Sequence, residues 1–401
     1  IVFGDWSSDV CSSDLRTPNK LAEHYKKFRV TEKILLTGHS HQAWPDAAFE
    51  AQMQAYIDAA ERADDKWGIA FKKAEDVRKG FSDLMNDNSG YISLAPNTHE
   101  MVVRLISALD LKNRRKIITS DSEFYSVRRQ VDRLAEDGIE SLKISVNPVE
   151  TFVERVIDAI DEKTMAVMIS KVFFNTGRIG PNYAEIEKKC IEKGAVLLVD
   201  VYHALNVVPF DIKKEGLEKS FIVGGGYKYC QFGEGNCFLR FPKDCKMRPM
   251  NTGWFSEFGT LSNGKKEGEV LYGEGSLLFA GSTYDPVSHY RAARVLEFFN
   301  EQGLSPEFLR EVSQHQISLL IEEFDKAGFD EKVIRRDKSI SLKDTAGFLV
   351  FYTEHSAKIS AELRKENIIT DFRGNNLRFG PAPYLSDEQL KEAIGTMKKI
   401  I

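Results

Sequence analysis

A chain of 401 residues is long enough for two or three average domains, or for one large α/β unit with a satellite domain, and it can bury a sizeable core. Its formal net charge is −5, from 60 acidic against 55 basic residues, and no basic stripe points to nucleic acid. No apolar run approaches the roughly 20 residues needed to cross a bilayer, and 42% hydrophobic with 29% charged residues is the composition of an ordinary soluble enzyme.

Near the start, Asp5 to Leu15 reads DWSSDVCSSDL, which matches the in-frame translation of a common sequencing-library adapter. Such a scar is set aside from fold reasoning, and Cys11 with it. The remaining cysteines, Cys190, Cys230, Cys237 and Cys245, form no CxxC pair and stand beside no histidine at metal spacing. They read as reduced thiols of a cytoplasmic protein, and no metal site is expected. From about residue 90 to 240, β-rich runs alternate with helical patterns: GYISLAP, RKIITSD, SLKISV, TMAVMIS, GAVLLVD, FIVGGG and CFLRFP. Between two of them, Phe152, Val153, Val156, Ile157 and Ile160 fall on one helical stripe. This alternation predicts a mainly parallel sheet covered by helices on both faces, with ligands beyond the carboxyl ends of its strands. From about residue 287 the texture changes to the long amphipathic patterns HYRAARVLEFFNEQG and PEFLREVSQHQISLLIEEFDKAG. AGFLVFYT and NNLRFGPAPYLSDEQLKEAIGTMKKI follow, which predicts a smaller α+β domain.

The residues that carry chemistry lie at predicted strand ends. Asp200 closes AVLLVD and opens DVYH, and Lys228 follows three glycines in GGGYKY. An acid leaving one strand and a lysine at the end of a later one suit a pyridoxal 5′-phosphate site. The amine condenses with the cofactor aldehyde, and the carboxylate keeps the ring nitrogen protonated so that the ring draws electrons from the substrate's Cα. The glycines are expected to let the backbone pass close to a phosphate-bearing ligand. Asn97 and Thr98 stand directly before the amphipathic run HEMVVRLISAL, where helix N–H groups and a hydroxyl can hold a phosphate. Both residue types also cap helices, and an aspartate after a strand commonly does the same, so these readings stay open.

DVYH, GGGYKY and RFGPAPY together resemble kynureninase-like members of the fold-type I, class V aminotransferase family of pyridoxal phosphate enzymes. The resemblance spans most of residues 30 to 395. It implies a large α/β domain with a mainly parallel seven-stranded sheet over 51–286, a small α+β domain over 287–401, and a segment 16–50 that joins the small domain. It also implies roles for single residues. His203 would lie near the cofactor ring, Tyr227 would contact its phosphate, and Phe124 would stack on the pyridine, with Tyr125 as the nearest competitor. Asn175 and Thr176 would line the cofactor face. Arg378 would grip the substrate α-carboxylate as a bidentate fork. Gly253 and Trp254, with Gly281, Ser282 and Thr283, resemble segments that reach the active site from a partner subunit, which implies a homodimer. Two stretches depart from the family. TGHSHQAWPD replaces an Asn-Ser-Leu-Gly element, so His39, His41 and Trp44 are expected to read the substrate, and CQFGEGNC replaces a glycine-rich, proline-containing loop after the lysine. The expected reaction is hydrolysis of the Cβ–Cγ bond of a kynurenine-type amino acid. The alternative is another class V activity, an aminotransferase, epimerase or lyase. A cysteine desulfurase is disfavoured, because it needs a nucleophilic cysteine on a C-terminal loop and none follows Cys245.

Overall fold

The computed structural model describes residues 19–261 and 267–401; the adapter-like segment lies outside them. A two-residue strand, β1 (Ile34–Leu35), comes first. The seven β-rich runs then become β2 (Gly90–Ala95), β3 (Lys116–Ser120), β4 (Glu140–Ile144), β5 (Thr164–Ser170), β6 (Val196–Asp200), β7 (Phe221–Gly225) and β8 (Cys237–Pro242). They form one sheet in the order β2-β8-β7-β6-β5-β3-β4. β8 runs antiparallel to both neighbours, and the other pairs are parallel.

Helices on both faces explain why the central strands β5, β6 and β7 are apolar almost throughout. Successive side chains of a strand point to opposite faces, so a doubly covered sheet needs both alternating sets to be hydrophobic. Along β6, Leu197 and Val199 enter one core while Leu198 enters the other; along β5, Val167 and Ile169 oppose Ala166 and Met168 in the same way. The predicted stripe after residue 151 is the helix Phe152–Ala159, and Ile160 has already left it for extended backbone. Asn97 caps the helix Thr98–Ser107, its side chain accepting from Glu100 N at 2.9 Å.

The C-terminal part begins with the helices Val287–Glu301 and Pro306–Ala327, the second capped by Ser305 with proline in its first turn. Four strands, β9 (Arg335–Arg336), β10 (Leu349–Tyr352), β12 (Asp371–Arg373) and β13 (Asn376–Phe379), make an antiparallel sheet in the order β12-β13-β10-β9. The short strand β11 (Ile368–Ile369) pairs in parallel with β1, which ties the chain near residue 34 to this part. Gly374 and Asn375 form the two-residue turn between β12 and β13, with Gly374 at φ +53°, a conformation that costs glycine little. The last helix, Asp387–Ile400, opens on a capping box of Ser386 and Gln389. Among the described residues no helix is long and apolar enough to cross a membrane.

Candidate active site

Side chains from four strand ends converge at the carboxyl edge of the large sheet. Asp200 is the last residue of β6, Lys228 lies just beyond β7, Phe124 beyond β3 and Phe174 beyond β5. Lys228 is buried, with Nζ 2.8 Å from His203 Nε2 and over the rings of Tyr202 (4.8 Å), Phe124 (5.3 Å) and Tyr227 (5.7 Å). Burial lowers its ammonium pKa to about 7, against the opposing pull of the Asp200 carboxylate. A lysine in that range holds comparable shares of amine and ammonium at neutral pH. Burial, then the Lys228 charge, also holds His203 well below the ordinary histidine range, so its ring is neutral.

Asp200 is followed by a turn and caps no helix. Its Oδ1 accepts from Tyr202 N at 2.8 Å, closing the local turn, while Oδ2 receives no hydrogen bond from the described residues. Desolvation raises its pKa. One oxygen is therefore spent on the backbone and one is left for a ligand.

Arg378, in β13, lies on the opposite side of this space. Its guanidinium sits over Phe174 at 5.2 Å and Phe348 at 5.7 Å, and Asp371 binds its Nε and Nη2. His203 has Phe124, Phe174 and Phe348 as ring neighbours, at 6.4, 6.3 and 5.9 Å. Lys228 and Arg378 are thus joined by a run of aromatic rings, Phe124 under one and Phe174 under the other, the two rings meeting edge to face at 5.5 Å. Tyr125 packs on both Phe124 and Phe174 but remains half exposed, whereas Phe124 is the ring that faces Lys228.

The other predicted residues divide. His39 is fully buried, stacked on Phe348 at 4.6 Å with Nε2 3.9 Å from Asp371 Oδ1; burial pulls its pKa down to about 4, so it packs as a neutral ring. His41 reaches the rim, pairing with Glu234 at 3.1 Å and stacking toward Tyr227 at 6.2 Å. Trp44 packs against His41 at 5.9 Å. Its ring is taken up by Arg291 at 4.6 Å and Phe28 at 5.6 Å, a packing role in place of the expected substrate contact. Asn175 accepts from Asn376 Nδ2 through its backbone carbonyl at 3.3 Å, and the Thr176 hydroxyl accepts from Arg178 N; their turn braces the β12–β13 hairpin. Asn97 is spent on capping, but Thr98, in the first turn, keeps a hydroxyl with no hydrogen bond among the described residues.

Trp254 and Ser282 are not brought to Lys228 within this chain. Trp254 Nε1 donates to Thr283 Oγ1 at 3.1 Å, and Phe255 N donates to the Gly281 carbonyl at 3.0 Å, so the two segments pack on each other. They face a separate cavity of about 730 Å³ that Ala95, Pro96 and Arg104 also line. The glycines before Lys228 also do something other than expected. A Cβ on Gly225 would lie 2.4 Å from Cys237 Sγ and 2.5 Å from Tyr202 Oη, and one on Gly226 would lie 2.3 Å from Phe232. Their small size admits the protein's own side chains beneath the lysine.

Sequence reasoning missed Glu123 and Asp371. Glu123 is buried at the ends of β3 and β5, accepting from the Ser120 and Ser170 hydroxyls and from Ser170 N at 3.1 Å. Ser170 is paired in register with Asp200, so two carboxyls share this edge of the sheet. Desolvation, with the Asp200 charge adding to it, pushes Glu123 up to about 7. Asp371 is held below the ordinary carboxylate range: burial opposes ionisation, but His39 and Arg378 outweigh it.

A mainly parallel sheet with a lysine, an acid and an arginine at this edge defines a fold-type I architecture. The aminotransferase class-V family matches residues 47–329, and the chain belongs to that family. It is 23% identical to YcbU, an uncharacterized aminotransferase of Bacillus subtilis, over 93% of this chain and 96% of that one. It is 25% identical to the kynureninase of Geobacillus thermodenitrificans, over 62% of this chain and 57% of that enzyme. Among solved structures, a C-DES mutant with glycine covalently linked to its PLP cofactor superposes at a TM-score of 0.80, 18% identical, over 94% of this chain and 98% of that one. A cysteine desulfurase from Thermococcus onnurineus superposes at 0.78, also 18% identical, over 95% and 98%. The cofactor is pyridoxal 5′-phosphate. The donor set fits it: a buried lysine amine for the aldehyde, an unspent Asp200 oxygen for the ring nitrogen, Phe124 for the ring face, and the free Thr98 hydroxyl at a helix start for the phosphate.

Proposed function

We propose that this enzyme acts on an α-amino acid bearing an aromatic ketone side chain. It adds water across the Cβ–Cγ bond in the manner of kynureninase, giving an anthranilate-type acid and alanine. The observation that carries this reading is the aromatic wall between the charged anchors. Lys228 stands over Phe124, Arg378 over Phe174 and Phe348, and His203 touches all three rings. A flat apolar side chain is at home there.

When bound, the cofactor supplies an electron-poor ring that accommodates the charge left at Cα. Asp200 Oδ2 would hold the ring nitrogen's proton, Phe124 would cover the ring face and His203 would stand near it. Thr98 and Tyr227 would form the phosphate end, with Asn97 capping the helix that carries Thr98, and Trp254 and Ser282 of a second copy would complete it. Lys228 Nζ holds the resting cofactor and takes the substrate's Cα proton, and its lowered pKa keeps the amine available for both duties. Arg378 binds the α-carboxylate, while His41 and Asn175 border the substrate from the rim.

The similarity to cysteine desulfurase structures is one of fold. Cys190, Cys230 and Cys237 are buried and Cys245 half-buried, and burial pushes the Cys237 thiol up to about 12, far from a ready nucleophile. Aminotransfer is the second reading, favoured by the match to YcbU over nearly the whole chain.

The deciding experiment incubates cofactor-loaded protein with kynurenine, 3-hydroxykynurenine and a panel of amino acids, with and without a keto acid. Hydrolysis yields alanine and anthranilate together with no keto acid present; transamination without anthranilate decides for the second reading. Lys228→Ala should abolish turnover and borohydride trapping of cofactor on the protein. Continued trapping at another active-site lysine would remove Lys228 from this role.

A further inference from the structure

Arg378 presents five N–H groups in a rigid plane. Asp371 Oδ1 accepts two of them, from Nε at 3.0 Å and Nη2 at 2.6 Å, and the Phe174 carbonyl takes one from Nη1 at 3.4 Å. Phe174 and Phe348 cover the guanidinium. One N–H is left on each terminal nitrogen, and no described residue accepts from either. Two adjacent donors on a clamped plane match the two oxygens of a carboxylate.

The charges support this arrangement. An aspartate on Arg378 alone would cancel its charge and weaken its hold on an anion. Arg373 Nη2, however, lies 3.3 Å from Asp371 Oδ2, so the set Arg373, Asp371 and Arg378 carries one net positive charge. One carboxylate completes it.

The backbone explains how the set is built. Asp371 and Arg378 are direct cross-strand partners, because the two-residue turn at Gly374 and Asn375 fixes the register of β12 against β13. A slip of one residue would send Asp371 to the other face.

We propose that Asp371, backed by Arg373, is a positioning residue that holds Arg378 by its inner edge and presents its outer edge to the substrate α-carboxylate. The inference rests on the reading of Arg378 as the carboxylate site. Its test compares L-alanine with L-alaninamide, which lacks the carboxylate, by titrating each into the holoenzyme and following cofactor absorbance. The wild type should prefer alanine. Asp371→Ala should reduce that preference by about tenfold or more, the scale of a charged hydrogen bond. Asp371→Asn, which keeps an acceptor, should restore part of it, and Arg373→Gln should show a smaller reduction. Because the preference is a ratio within one variant, a partly unfolded sample does not change it. A wild type with no preference overturns the Arg378 reading and this inference together. A preference abolished in Arg378→Ala but unchanged or raised in Asp371→Ala overturns the inference alone.

Discussion

Glu123 shows how a single buried carboxyl can link the site to pH. Its pKa, raised by burial and by Asp200 to about 7, exceeds the ordinary 4.5. The folded state therefore holds the proton more tightly than the unfolded state does. The associated stability is fully present below pH 4.5 and is lost as pH rises through about 7. Glu123→Gln keeps the shape and abolishes the titration, so the fall in stability across that window should shrink by on the order of 3 kcal/mol. Denaturant midpoints of both proteins at about pH 4.5 and pH 8 measure it; parallel profiles would mean that Glu123 does not titrate there. This residue was hidden in the sequence for a definite reason. Lys228 and Asp200 are legible because the acid closing one apolar run and the lysine after the glycines of a later one, each ordinary alone, stand together in one spacing. Glu123 looks like any acid at a helix start until β3 and β5 bring Ser120 and Ser170 around it. Asp371 likewise acquires its role from the strand opposite, although the Gly-Asn turn in RGNN signals the hairpin that supplies it.

At the level of elements, the central strands were readable because a sheet covered on both faces demands short apolar, β-branched runs, as in β5, β6 and β7, whereas the edge strand β4, with Glu140 and Lys143 exposed, was legible through its place in the alternation. The glycines of FIVGGG have a packing role that the sequence does not reveal, since only the folded sheet shows what stands beside them. Gly225→Ala should cost about 1–3 kcal/mol, the usual penalty of overpacking, because its new methyl meets Cys237 and Tyr202. It should also weaken cofactor retention by displacing Lys228. Gly395 makes the opposite case. It is exposed within the helix Asp387–Ile400, with nothing within 4 Å of an added Cβ. Gly395→Ala should therefore stabilise by about 0.5–1 kcal/mol. Thermal melts of the two variants should move in opposite directions, and a shared direction would refute the packing account of Gly225.

For the whole molecule, the candidate site draws on residues far apart in sequence, strand ends of the large sheet and the hairpin carrying Arg378, while Trp254 and Ser282 do not reach Lys228 within one chain. We propose that a second copy supplies the last two. The helix Asp46–Arg62 exposes Phe49, Met53, Tyr56 and Ile57 on one face, and Trp254 is also half exposed, a larger apolar stripe than scattered surface residues require. Covering it with the same surface of another copy would form a closed, self-complementary interface. Light scattering should give twice the chain mass. Met53→Glu combined with Tyr56→Glu should give single chains that still fold, since both side chains are exposed, but that bind cofactor weakly because the phosphate end is incomplete. A wild-type protein that turns over substrate at single-chain mass would remove both the dimer and the roles of Trp254 and Ser282. A double variant that remains dimeric would move the interface away from this helix while leaving the shared site intact.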